Sequence, residues 1–412
     1  MKSEIRSAIM ALSRFDAPSD MEPLLPSGEM SGELTSKATL LIKSAAELGG
    51  YFAPETRQAV ADLVRSMNGY YSNLIEGHRT RPVDIEAALA HEFSSQPKRR
   101  EMQLLHYAHL ETQLELERRL REEPDLDFLS SEIICWIHEK FYSLLPESLR
   151  HVTDKDGKTY PVNPGQVRDY DVHVGVHLAT TPASLAKFLT RFRDFYGAYR
   201  KETSPQAVIA AMAAHHRLAW IHPFGDGNGR VTRLLTHGWL TRIGLGANGL
   251  WTLSRGLARS LDQYKEVLAA ADSKRLNDSD GRGYLSERRL TEFCAYMIDR
   301  ALDQTKFMHG LLDLRQLEKR LLGYCAVVEQ AKELPKRSGT LLRDVMLRGA
   351  ISRGEVARIL NVSARTAQAV IGALLAKGLL KSPSPKGQLT IGFPGFICPY
   401  LFPDLYPTGS PN

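Results

Sequence analysis

The feature that most constrains this chain is an apolar run that a proline and three alternating glycines cut short. Residues 205–221 read PQAVIAAMAAHHRLAWI, almost all apolar or small. That composition predicts a helix buried on every side. The next residues are His222-Pro-Phe-Gly-Asp-Gly-Asn-Gly-Arg230-Val-Thr-Arg233. Pro223 bars the residue before it from the helical region, so the buried helix ends at or near His222. Gly225, Gly227 and Gly229 let the backbone turn tightly and present its N–H groups. A second helix then begins near Asn228–Arg230 and runs through RVTRLLTHGWLTR. The sequence therefore demands two helix ends meeting at one loop.

The residues of that joint suit phosphate chemistry. The C-terminal end of the first helix favours a protonated imidazole at His222 and makes the neutral form a better base. The N-terminus of the second helix points free N–H groups and the positive end of its dipole at the same loop. Arg230 and Arg233 are three apart and share a face of its first turn. Asp226 places a hard carboxylate beside this anion nest, where a hydrated Mg²⁺ would need one. A base, a metal carboxylate, an amide cradle and two guanidinium groups suit phosphoryl or nucleotidyl transfer. The loop is not a Walker loop, since no GxxxxGK(S/T) occurs. It is not a dinucleotide fingerprint, since Arg230 stands where the third glycine belongs and no strand precedes it. His215, His216 and His222 lack metal-ligand spacing, and no HExxH occurs. The run NDSDGRGYLSE has Leu276 where a calcium loop needs its first oxygen ligand, and reads as a loop before a helix capped by Ser286.

Length and composition frame the rest. At 412 residues, 43% hydrophobic and 24% charged, the chain is expected to fold into two or three domains. No stretch approaches the apolar length of a membrane span, and MKSEIRSAIMALSRFDAPSD lacks the apolar core of a secretory signal. The four cysteines, Cys135, Cys294, Cys325 and Cys398, are widely spaced. That argues against a disulfide framework or a zinc site and for a reducing cytoplasm.

The fold class expected is mostly α. Residues 1–36 read as an arm and 37–110 as a helical region. A catalytic core covers 111–310, with its one convincing hairpin at 166–180 (QVRDYDVHVGVHLAT). Residues 311–338 form a connector and 393–412 a tail too rich in proline for a helix, its aromatics packed on the body. Between them, residues 339–392 resemble a winged helix-turn-helix: GEVARIL, a turn at Asn361-Val362-Ser363, ARTAQAVIGALLAKG, then the wing KSPSPKGQLTIG. Arg365, Thr366 and Gln368 would lie on the exposed start of its recognition helix. The segment 331–390 holds eleven basic and three acidic residues, a net +8 within a chain of net +6. That charge fits contact with DNA phosphates. The alternative for this module is protein contact or dimerisation.

The loop 222–233 resembles the Fic family signature HPFx(D/E)GNGRxxR at every defined position. His216 also fits that family's histidine six residues before the motif. The likeness extends over about residues 37–310. It implies transfer of AMP from ATP, with Mg²⁺, to a Ser, Thr or Tyr hydroxyl of a target protein, and release of pyrophosphate. On this reading His222 is the general base and Asp226 holds Mg²⁺ on the α- and β-phosphates. Gly227, Asn228, Gly229 and Arg230 clasp the phosphates, Arg233 meets the γ-phosphate, and Phe224 anchors the loop. The hairpin, with Val172, His173 and Val174, resembles the family's flap, to which a target would add as an edge strand.

Residues 72–77, Ser-Asn-Leu-Ile-Glu-Gly, resemble the family's inhibitory helix (S/T)xxxE(G/N). Gly77 suits a position just past a helix, which leaves the Glu76 carboxylate at a disfavoured helix C-terminus. The resemblance implies that Glu76 makes a bidentate pair with Arg233 in place of the γ-phosphate, and that Ser72, one turn earlier, orients it. Three alternatives stay open. The chain could be a DNA-binding regulator whose Fic core senses nucleotide. It could be an enzyme that transfers another phosphate-linked group. It could also remove AMP. No membrane partner is expected, and a homodimer is left open.

Overall fold

The structure is a computed structural model that describes residues 15–27, 31–153, 157–174 and 177–406. It is mostly helical, as the patterning predicts. Helices α1 (Ser31–Glu47), α2 (Pro54–Ile75), α3 (Pro82–Leu89) and α4 (Pro97–Glu122) lead the chain. The last three start on proline, whose missing N–H falls where a helix leaves that donor unpaired. Helix α5 (Ser131–Ser143) is capped by the Ser130 hydroxyl. Two short antiparallel hairpins follow, β1 (His151–Thr153) with β2 (Thr159–Pro161), and β3 (His173–Val174) with β4 (His177–Leu178).

Helices α6 (Leu185–Tyr196), α7 (Pro205–Ile221) and α8 (Asn228–Arg242) form the centre. Around them run α9 (Leu253–Arg259), α10 (Leu261–Ala270), α11 (Glu287–Leu311) and α12 (Leu314–Gln330). Helix α7 is buried on every side, with α1, α6, α8 and α11 packed about it. Its small side chains let neighbours approach closely, and burying Val208, Met212, Leu218 and Ile221 stabilises the fold by roughly 1.5–3 kcal/mol each.

The C-terminal module comprises α13 (Ser338–Arg348), β5 (Ala350–Ile351), α14 (Val356–Leu360), α15 (Ala364–Ala376), β6 (Leu380–Lys381) and β7 (Leu389–Ile391). The strands form an antiparallel sheet in the order β5-β7-β6. Asn361 takes the left-handed conformation that ends α14, and the Ser363 hydroxyl caps α15. The pair of helices is bent by 110°. Among the described residues no single helix is long and apolar enough to cross a membrane.

Three features differ from the sequence reading. The stretch read as an arm over 1–36 is packed where described: Met21 and Leu24 are buried, and α1 starts at Ser31. The β1–β2 hairpin is a second one in the body; its polar strands (HVT and TYP) carry no apolar alternation to announce it. The tail contains one helical turn, α16 (Cys398–Leu401), with Pro399 in its first turn, where proline is tolerated. Phe402 and Leu405 are buried, while Phe396 and Tyr400 stay exposed. Tail and module both sit against α2. Tyr71 Oη donates to the Leu405 carbonyl at 3.1 Å, and Thr56 Oγ1 to the Met346 carbonyl at 2.7 Å. The main apolar core thus runs from Met21 to Leu405, and a smaller one gathers Leu105, Phe141, Tyr142 and Val162.

Candidate active site at the junction of two helices

Helix α7 ends at Ile221, and His222 sits beyond it in the left-handed region, at φ 53° and ψ 62°. A non-glycine residue there is strained by about 1 kcal/mol or more, so surrounding contacts must hold it. The His222 Nδ1 lies 3.2 Å from the Ala219 carbonyl. A carbonyl only accepts, so Nδ1 carries the proton and Nε2 keeps its lone pair. Burial lowers the His222 pKa to about 4, against an opposing pull from the Ala219 carbonyl; Arg168 and His177 add to the lowering and Asp226 opposes it. The helix end by itself favours protonation. Desolvation outweighs the dipole, and the ring is a neutral base.

The loop is braced from within and from behind. Phe224 is fully buried and stacks on the His138 ring at 4.0 Å. Asn228 Oδ1 accepts the Phe224 N–H at 2.9 Å, and its Nδ2 donates to the Phe224 carbonyl at 2.8 Å. Its side chain is therefore a clasp on the loop; any phosphate contact from residue 228 falls to its backbone N–H. Gly227 has φ +78°, and a Cβ there would lie 2.7 Å from the Tyr142 ring. Tyr142 Oη donates to Asp226 Oδ2 at 2.6 Å. That bond orients the carboxylate and leaves Oδ1 for a cation. A single carboxylate beside a phosphate site fits Mg²⁺, which keeps most of its waters.

At the start of α8, Arg230 is 4% exposed. Its Nε donates to Asn73 Oδ1 at 3.2 Å, and its guanidinium lies 5.2 Å from the Phe141 ring centroid. Its Nη2 is buried without a partner. An orphaned cationic donor at a helix N-terminus fits an anionic group. Arg233 is engaged: Nε donates to Ser72 Oγ at 2.9 Å, and Nη2 to the Ser72 carbonyl at 3.1 Å and to Glu76 Oε1 at 2.5 Å. Glu76 is the residue at the end of α2, with Gly77 in the left-handed region behind it. Its pKa is displaced downward: burial pushes it up, and Arg233 and then Arg230 overcome that.

Two details correct the sequence reading. Glu76 meets Arg233 through one carboxylate oxygen on one guanidinium nitrogen, not a bidentate fork, because Nε is taken by Ser72. Ser72 accordingly orients Arg233 rather than Glu76. Gly229 permits the arrangement, since a Cβ there would collide with Glu76 Oε1.

Glu76, His222, Gly229 and Arg233 share a cavity of about 620 Å³, whose far wall is built by Leu261, Tyr264, Lys265 and Leu268 of α10. The volume suits a nucleotide-sized ligand. The hairpin segment borders the 222–233 loop: Arg168 N donates to the Pro223 carbonyl at 2.9 Å. Val172 is half-buried and His173 exposed, and the backbone of Val174 pairs with His177. Val176 lies outside the described residues. Arg365, Thr366 and Gln368 are exposed on α15 and do not join this cluster. Sequence reasoning missed Tyr142, Asn73 and Arg168. Each stands 50 or more residues from its partner in the loop, and no local pattern marks it.

Known proteins resemble this chain in sequence over part of its helical core and in overall fold. Residues 128–240 match the model of the Fic/DOC family. It is 32% identical over 139 residues to the protein adenylyltransferase Fic of Drosophila mojavensis, covering 33% of this chain and 28% of that one. With the Culex quinquefasciatus protein of the same name it shares 40% over 88 residues, 21% of this chain and 17% of that one. The chain thus spans less than a third of the length of these curated relatives. A Fic family protein from Desulfovibrio desulfuricans G20 shares the fold at TM-score 0.51 and 16% identity, over 90% of this chain and 98% of that one. Residues 134–508 of Fic-1 from C. elegans do so at TM-score 0.51 and 16% identity, over 68% and 73%.

Proposed function

We propose that this chain is a protein adenylyltransferase held in check by Glu76. The observation that carries the reading is His222 with Nε2 unprotonated, on the same cavity as the arginine-bearing N-terminus of α8. A target hydroxyl gives its proton to His222 Nε2 as its oxygen attacks the α-phosphorus of ATP. The bond from that phosphorus to the bridging oxygen of the β-phosphate breaks, and pyrophosphate leaves. Arg230 Nη2 and the first N–H groups of α8 hold the phosphates, and preorganised donors of this kind are the main source of rate in such transfers. Asp226, oriented by Tyr142, would hold Mg²⁺, which supplies charge neutralisation on the phosphates. The target would add to the flap edge. Incorporation of α-labelled ATP into protein tests the reading. Removing a general base lowers rates by roughly 100–10,000-fold, so His222→Ala is expected to abolish measurable labelling. Full turnover in that variant would overturn it. Mass analysis of the modified target separates AMP from another phosphate-linked group, and loss of label on incubation would reveal AMP removal.

A second reading, that the C-terminal module binds DNA, is favoured by one observation. Residues 356–403 contain no carboxylate and five cations, Arg358, Arg365, Lys377, Lys381 and Lys386. Arg365, Thr366 and Gln368 line the exposed start of α15. We expect duplex binding that weakens steeply between 50 and 200 mM salt, with Arg365→Ala reducing the salt slope by about one counterion. Salt-independent or absent binding by fluorescence anisotropy would leave the module to protein contacts. We also place the protein in the cytoplasm; its four cysteines are free thiols.

A further inference from the structure

A helix end leaves its last carbonyls without partners inside the helix. At the end of α7 these are supplied by side chains from one stretch of chain, the flap segment. His177 Nε2 lies 2.9 Å from the Trp220 carbonyl. Thr180 Oγ1 donates to the Ile221 carbonyl at 3.1 Å. Arg168 Nε donates to the His222 carbonyl at 2.8 Å. The remaining nitrogens of Arg168 reach back into the flap, Nη1 to the Tyr170 carbonyl at 2.8 Å and Nη2 to the Thr180 carbonyl at 2.5 Å. Its backbone N–H takes the Pro223 carbonyl.

Arg168 is 4% exposed, and all three of its side-chain hydrogen bonds end on carbonyl oxygens. A buried guanidinium is costly unless its donors are met: here one faces the negative end of α7 and two face carbonyls of the flap itself. Burial draws its pKa down to about 10, so it stays a cation at neutral pH. The placement is specific. The carbonyl it holds belongs to His222, the residue whose left-handed backbone decides where the imidazole points.

We infer that Arg168 is a positioning residue for the transfer: it locks the His222 peptide in its strained turn and, with Thr180 and His177, rivets the flap to the last turn of α7. A target segment paired with the flap is then registered against the His222 ring by the same side chain that aims the ring. This rests on the proposed role of His222 as base.

The test uses the full chain carrying Glu76→Gly, with Arg168→Met, Arg168→Lys and Thr180→Val added singly. A misplacement of about 1 Å lowers turnover by roughly 100-fold, so Arg168→Met is expected to lose about that factor in kcat. KM for ATP should stay within about twofold, because α8 and not the flap holds the phosphates. Arg168→Lys, which keeps the charge and reaches one carbonyl, should recover about a tenth of the parent rate. A kcat within threefold of the parent in a folded Arg168→Met protein, or a loss confined to KM, overturns the inference. If Arg168→Met does not fold, Thr180→Val decides: an unchanged kcat overturns, and a several-fold fall with constant KM supports. Ring nitrogen shifts of labelled histidine, assigned with His222→Ala, supply a readout independent of turnover. A single Nδ1–H tautomer in the parent that becomes mixed in Arg168→Met supports positioning even if no AMP is transferred, a failure that would fall on the proposed function alone. Identical His222 shifts in both proteins overturn it.

Discussion

Glu76→Gly is expected to raise AMP incorporation from α-labelled ATP by roughly 100-fold, about 2.7 kcal/mol of barrier. The magnitude follows from the bond that must be exchanged. Arg233 Nη2 holds Glu76 Oε1 at 2.5 Å, and a charge-assisted hydrogen bond of this kind is worth about 1.5–3 kcal/mol. With Glu76 in place, a phosphate must displace a carboxylate from a guanidinium whose Nε is already held by Ser72. Without it, Arg233 keeps the orientation that Ser72 imposes, and the Nη2 hydrogen that Glu76 held is offered to the phosphate. Glu76→Gln, which keeps the shape and loses the charge, should give an intermediate gain. The variant also loses a partner for a buried cation, so ATP should raise its melting temperature more than that of the wild type. Equal labelling by wild type and Glu76→Gly would remove the brake from the account.

Acidification is the second large effect, and it acts on stability. Burial lowers the pKa of His106 to about 4, of His215 to about 3, of His138 to about 4 and of His222 to about 4. His138 shows the cost in structural terms: Nδ1 accepts the Gly165 N–H at 2.9 Å, and protonation would cancel that bond. In the unfolded chain these rings titrate near 6.5. Between about pH 6.5 and 4 the unfolded state therefore binds more protons, and stability falls as pH falls. Each histidine contributes about 1.4 kcal/mol per pH unit in that window, so four over two units approach ~10 kcal/mol. Whole domains are stable by only about 5–15 kcal/mol. Melting followed by circular dichroism should thus collapse between pH 6.5 and 5; below pH 4 only His215, with its pKa of about 3, still adds to the loss. A melting temperature constant within a few degrees from pH 7 to 5 would refute this.

The joint between α7 and α8 was legible because its causes are local. Pro223 acts on the residue before it, the glycines act on their own φ angles, and Ser286 and Ser363 cap helices three residues on. The same holds for Gly77 behind Glu76. What escaped was set by distance along the chain. Tyr142 reaches Asp226 across 84 residues, and Arg168 reaches His222 across 54. Nothing in the stretch around either residue hints at its partner. The polar β1–β2 hairpin escaped for another reason: exposed short strands bury too little to leave an apolar pattern. The neutral His222 base was expected, but the downward direction of its pKa shift was not legible: a dipole can be read from a helix end, whereas desolvation depends on what packs around the ring.

By itself, then, the chain's order of residues settled that two helices abut at a glycine-rich anion loop carrying one imidazole, one carboxylate and two arginines. It also settled that a carboxylate waits at the end of an earlier helix. Packing alone decided that one oxygen of Glu76, rather than two, meets Arg233, that Ser72 braces the arginine, and that the flap closes the end of α7. Dihedral preferences act within a few residues, while hydrogen bonds between side chains remote in sequence are chosen only when whole helices have found their places.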